Sequence, residues 1–244
     1  MRPLADIAAA CMLLTRLPVP AGGVPEPGAA WAWPVAGLIV GLLAGVVGLA
    51  LLWLGLPVPL VAALTLGSQI IATGALHEDG LADCADGLWG GSTPQRRLEI
   101  MRDSRVGSYG VLALALSVLI RWQALALLAD AGALMPALLI AGTLSRAPMA
   151  ALMTALPPAR SDGLSRLVGR PGWKASGLGM LVAVLVILIS WPSATLPLLI
   201  LSPLPALWLA RIAWEKLKGQ TGDILGASQQ LTEIAILLTL ATLA

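Results

Sequence analysis

The run His77-Glu-Asp-Gly-Leu-Ala-Asp-Cys-Ala-Asp-Gly87 places four carboxylates, Glu78, Asp79, Asp83 and Asp86, in nine residues of a 244-residue chain that is only 11% charged. Asp79, Asp83 and Asp86 stand at i, i+4 and i+7, one face of a helix. Three unscreened anions on one face repel, so the spacing predicts a hard divalent cation held by Asp79, Asp83, Asp86 and Glu78. A solvated acidic loop would have the same composition, but the surrounding sequence is too apolar to make that the better reading. His77 is the only histidine. It is a candidate proton acceptor whose charged form the adjacent carboxylates would favour, with a helix-end hydrogen-bonding role as the alternative.

Two further segments carry groups suited to phosphate. Residues Arg96–Arg105 read as a short amphipathic helix with Glu99 and Asp103 at i, i+4 and with Arg102 and Arg105 nearby. An intrahelical salt-bridge ladder explains that pattern. The chemical reading has Asp103 facing the cation and the guanidinium forks of Arg102 and Arg105 on phosphate oxygens. Gly107 and Gly110 flank Tyr109, where they either break a helix or let backbone approach a ligand. Near the C-terminus, Gly219-Gln-Thr-Gly-Asp-Ile-Leu-Gly-Ala227 brings Thr221 and Asp223 into the same set, although Asp223 is equally a candidate N-cap. Carboxylates for metal beside arginines and glycines for phosphate meet the two requirements of phosphoryl transfer.

The elements that must position these residues are membrane helices. The chain is 58% hydrophobic with a mean hydropathy of +0.88, outside the range of a water-soluble domain. Seven apolar stretches approach the roughly 20 residues needed to cross hydrocarbon, at 34–54, 59–76, 109–129, 133–153, 175–191, 194–213 and 224–243. The expected fold is therefore an all-α polytopic bundle forming a single domain over residues 1–244. Leu4–Leu14 is too short to cross and carries Asp6, so it reads as an interfacial or re-entrant helix rather than a cleaved signal. Alternating the spans puts 13 of the 15 Lys and Arg residues on one side, which the positive-inside rule makes cytoplasmic. Arg121 and Arg146 remain within spans. Glu233, inside the last span, needs a partner, and these two arginines are the candidates. Trp31 and Trp33 read as interfacial anchors. Cys11 and Cys84 fall on the reducing side and are expected as free thiols. A net charge of +2 gives no reason to invoke nucleic acid.

With these residues in place the chain resembles the cobalamin synthase (adenosylcobinamide-GDP ribazoletransferase) family. The resemblance runs from Leu14-Thr-Arg-Leu-Pro-Val-Pro20 through Trp33-Pro34, the His77–Gly87 run and Met101-Arg-Asp-Ser-Arg-Val-Gly-Ser-Tyr-Gly110 to Thr221-Gly-Asp-Ile-Leu-Gly-Ala227. It implies an Mg²⁺-dependent enzyme of the bacterial inner membrane. The substrates implied are adenosylcobinamide-GDP and alpha-ribazole or its 5'-phosphate, with GMP released and adenosylcobalamin or its 5'-phosphate formed. On that reading Asp79, Asp83 and Asp86, with Glu78 or Asp103, hold Mg²⁺. Asp86 or Glu78 takes the hydroxyl proton, and Arg102 and Arg105 stabilise the GMP side. Membrane lipid is the other expected partner, and a homo-oligomer is compatible with the sequence. Asp83-x-x-Asp86-Gly87 also opens like the signature of CDP-alcohol phosphotransferases, but their downstream Gly-x-x-x-Asp-x-x-x-Asp is absent. A lipid phosphotransferase is thus one alternative. A carrier is another, suggested by the charged residues within the spans.

Overall fold

A computed structural model describes residues 2–19 and 26–244; Pro20, the end of the first motif, lies outside them. Among the described residues all regular structure is helical, apart from one isolated bridge between Pro158 and Gln220. The chain opens with α1 (Pro3–Leu14), the short helix expected there. Its Asp6 accepts a hydrogen bond from Trp31 Nε1 at 2.8 Å, which accounts for an acidic residue in an apolar helix. A 3-10 turn at Pro27–Ala32 leads into α2 (Trp33–Trp53).

The expected span at 59–76 is not a span by itself. Helix α3 (Val58–Thr73) stops after 16 residues, and α4 (Leu76–Gly90) leaves it at 87°. Two successive left-handed residues, Gly74 (φ 64°) and Ala75 (φ 57°), make the corner. The acidic run therefore occupies α4, set at an angle to the helix that precedes it. Helix α5 (Pro94–Ile100) follows, capped by Thr93, and then α6 (Ser108–Asp130). The short helix read over 96–105 thus ends early. Glu99 pairs with Arg96, and Arg102, Asp103 and Arg105 lie in the loop beyond.

Helices α7 (Leu134–Leu144) and α8 (Ala147–Ala155) form one interrupted span. Pro148 has no N–H to continue α7 and its ring would clash one turn back, so the break falls at Ser145–Arg146. The short α9 (Leu164–Val168) precedes α10 (Trp173–Ser190). Prolines at 192 and 203 divide the next span into a 3-10 turn, α11 (Thr195–Leu201) and α12 (Pro203–Leu217), before α13 (Gly222–Leu243) closes the bundle. Six spans are long and apolar enough to cross a membrane, or seven counting the bent α3–α4 pair. The α7–α8 span is 89% buried and α13 72%, against 28–39% for the other four, so these two form the centre and the rest a lipid-facing ring.

Small residues set the closest approaches. Gly37 and Gly41 of α2 pack on the backbone of α7, where a Cβ at Gly37 would fall on the Gly142 carbonyl oxygen. Gly80 of α4 meets Asp223, and Gly226 of α13 meets His77, so α4 and α13 cross with almost no side chain between them. Cys11 and Cys84 are free thiols, both buried.

Candidate active site

Helices α4 and α13, the end of α1 and the loop over 157–172 surround a half-open cavity of about 220 Å³. Leu14, Trp33, Met149, Met153 and Leu225 give it an apolar floor, while His77, Asp79, Arg160 and Asp223 supply polar atoms. Segments distant in sequence are tied together at this end of the bundle. Gln220 N–H donates to the Pro157 carbonyl and Ala159 N–H to the Gln220 carbonyl, both at 2.8 Å. Arg102 binds Asp162, and Arg97 donates to the Lys216 carbonyl at 3.2 Å. The gathering of motifs at one end, expected from the charge asymmetry, is observed.

The acidic residues divide by function of place. Asp79 is exposed and lines the cavity. Asp83, half-buried one turn on, is close enough to Asp79, Asp223 and Asp86 for their charges to repel, with Arg160 offsetting them. Asp223 is not the N-cap of α13: the Thr221 hydroxyl accepts from Ile224 N–H at 3.3 Å and donates to Asp223 Oδ2 at 3.1 Å. That frees the Asp223 carboxylate for the cavity, where it also accepts from Arg160.

Asp86 is engaged by backbone. It accepts from Gly107 N–H at 2.7 Å and Gly110 N–H at 3.0 Å, so a carboxylate from α4 caps the N-terminus of α6. A Cβ at either glycine would collide with that carboxylate. The glycines flanking Tyr109 therefore admit a side chain of the protein itself. Tyr109 is exposed. Arg105 pairs with Asp103 on the exposed rim, and Arg102 is likewise half-exposed on Asp162. Neither arginine lines the cavity.

Glu78 points the other way, into the bundle. Its Oε1 accepts from Arg121 at 3.0 Å and from Gln230 at 3.2 Å. Arg121 also lies 3.5 Å from Glu233, so Arg121 is the partner sought for that residue. Gln229 donates to Glu233, and Arg146 donates to the Gly142 carbonyl at 2.8 Å. This interior cell encloses only about 10 Å³, room for about one water. His77 stands between cell and cavity and lines both. Where the sequence suggested carboxylate neighbours, the cations Arg121 and Arg146 line the interior cell beside it. Its Nε2 is buried without a partner.

Among the described residues no three His, Cys, Asp or Glu side chains converge as a metal shell. The donor chemistry nonetheless suits a hard cation: Asp79, Asp83 and Asp223 offer only oxygen and crowd their charge at one place. Of the other two predicted ligands, Glu78 turns away onto Arg121, and Asp86, although near Asp83, is engaged by the Gly107 and Gly110 N–H groups. Arg160 belongs to no motif in the sequence and counts there only among the cations of one membrane face. Its nearness to Asp223 spans 63 residues of sequence, and no local spacing signals it.

An all-helical membrane bundle carrying an acidic cleft with an apolar floor defines a polytopic membrane protein built to handle a charged group at the membrane boundary. The profile of cobalamin-5-phosphate synthase matches residues 6–241. Similar proteins include the adenosylcobinamide-GDP ribazoletransferase of Bradyrhizobium diazoefficiens, 48% identical over 98% of this chain and 94% of the relative. Those of Mesorhizobium japonicum and Brucella ovis are 44% and 43% identical, covering 96% and 93% of this chain and 92% of each relative. No solved structure matches. The chain belongs to the cobalamin-5-phosphate synthase family, and it is a transferase of cobalamin biosynthesis.

Proposed function

We propose that the chain joins adenosylcobinamide-GDP to alpha-ribazole or its 5'-phosphate in an Mg²⁺-dependent displacement, releasing GMP at the cytoplasmic face of a bacterial inner membrane. The names of its relatives supply the substrates. The observation that best supports the chemistry is one cavity joining the carboxylates Asp79 and Asp223 to an apolar floor. A donor with a bulky corrin and a charged diphosphate needs both environments.

In the reaction a ribose hydroxyl oxygen of the acceptor bonds to the phosphorus bearing the cobinamide arm. The bond from that phosphorus to the bridging oxygen breaks, and GMP leaves with the oxygen. Asp79, Asp83 and Asp223 would hold Mg²⁺, which when bound neutralises diphosphate charge and the departing phosphate. Asp86 and Glu78, held by backbone and by Arg121, are poorly placed to take the hydroxyl proton, which leaves the exposed Asp79 on the cavity wall. The apolar floor keeps water from competing with the acceptor.

The carrier alternative loses its motive, because Arg121 and Glu233 are buried and paired around a space of only about 10 Å³ and Arg146 bonds the backbone beside it. A donor panel tests the proposal. Detergent-purified protein with alpha-ribazole and Mg²⁺ should release GMP from adenosylcobinamide-GDP and no CMP from CDP-diacylglycerol. The reverse outcome would replace this reading with that of a lipid phosphotransferase.

A further inference from the structure

Arg160 is the one Lys or Arg among the described residues lining the cavity. Its side chain is only 14% exposed and its Nη2 donates to Asp223. That bond uses one arm of the guanidinium. The Nε–H and Nη1 donors take no protein acceptor among the described residues, so several donors of a half-buried cation are unspent at the cavity wall.

The backbone around Arg160 is fixed. Pro158 bridges Gln220, and the two hydrogen bonds between Pro157–Ala159 and Gln220 seat the segment against the entry to α13. A Cβ on Gly219 would strike the Pro157 carbonyl, so the contact leaves no slack. A surface ion pair needs no such mounting.

Resting on the transfer reaction proposed above, we infer that Arg160 binds the diphosphate of the donor substrate. One side of its fork stays on Asp223 while the other side meets phosphate oxygens. Asp223 thus aims the fork. The role assigned from sequence to Arg102 and Arg105 passes to a residue already inside the cavity. A guanidinium suits it, because its donors are planar and diverge at fixed angles to carboxylate and phosphate at once.

The test reads binding as well as turnover, using GDP in the presence of Mg²⁺ as the probe of the diphosphate subsite. Arg160→Lys keeps the charge and a contact to Asp223 but loses the fork. It should weaken GDP binding about 10- to 150-fold, the range expected for a lost charge-assisted hydrogen bond. Arg160→Gln should weaken it at least as much, and Arg96→Lys, on the exposed pair with Glu99, should stay within about twofold. In turnover, Arg160→Lys should raise KM for adenosylcobinamide-GDP and leave KM for alpha-ribazole unchanged, a split that a merely structural role would not produce. If Arg160→Gln fails to fold, the lysine variant decides. GDP binding within about twofold of wild type in the folded variants, or equal changes in both KM values, overturns the inference. Wild-type protein that releases no GMP would instead overturn the proposed reaction.

Discussion

On the exposed rim, the side chain and backbone N–H of Arg105 both donate to Asp103, and these hydrogen bonds hold the Asp103 carboxyl at about 2, below its ordinary range. A depressed carboxylate contributes above its unfolded value near 4, and that contribution is lost as pH falls through about 2. Nothing in the pair titrates between about pH 5 and 9. Arg105→Lys and Arg102→Lys should therefore change kcat/KM less than about twofold and leave the pH profile superimposable on wild type, because exposed pairs contribute little. A profile displaced within that window would return these arginines to the substrate. The interior cell behaves oppositely. Removing the Glu78 charge leaves buried Arg121 with only the longer contact to Glu233. Glu78→Gln should cost on the order of 3–5 kcal/mol, seen as a lower Tm in detergent. The sequence showed that Glu233 needed an arginine, because a charge in hydrocarbon demands a partner. It could not show which one, since that depends on how α6 and α13 rotate against each other.

Helix periodicity made most elements legible. The i, i+4, i+7 spacing of Asp79, Asp83 and Asp86 does lie on one helix, α4. The orientation of that helix was hidden, because the corner rests on the left-handed backbone of Gly74 and Ala75, and alanine gives no sign of that conformation. The apparent helix over 96–105 failed for a related reason: favourable charge spacing does not offset the absence of a buried face, and no residue of α5 is buried. Where α2 meets α7, Gly37 lies on the Gly142 carbonyl. Gly37→Ala must push the helices apart and should destabilise by about 1–3 kcal/mol. Gly67, which has open space around its Cα, is the control: alanine there should be neutral or mildly stabilising in the same melt.

For the whole molecule, the charge asymmetry was an informative sequence signal, because it put the cation-bearing loops on one side, and there Arg102 meets Asp162 and Ala159 meets Gln220. Its other content, the direction across the membrane, is testable with single cysteines. Thiols introduced at exposed Ser92 and Ser161 should be labelled only from the cytoplasmic side, and one at Gly132 only from outside. Native Cys11 and Cys84 are buried and should stay silent. Labelling of Ser92 and Ser161 from opposite faces would contradict a single cleft. On the proposed reaction, Asp79, Asp83 and Asp223 form the cation-dependent centre of the transfer. That role is tested most directly by measuring GMP release from adenosylcobinamide-GDP and alpha-ribazole across an Mg²⁺ titration, for wild type and for Asp83→Asn at equal expression and equal membrane insertion. Wild type should release GMP in an Mg²⁺-dependent manner, and Asp83→Asn should lose that release. Release by wild type that is indifferent to Mg²⁺, or an Asp83→Asn enzyme as fast as wild type, would contradict that role.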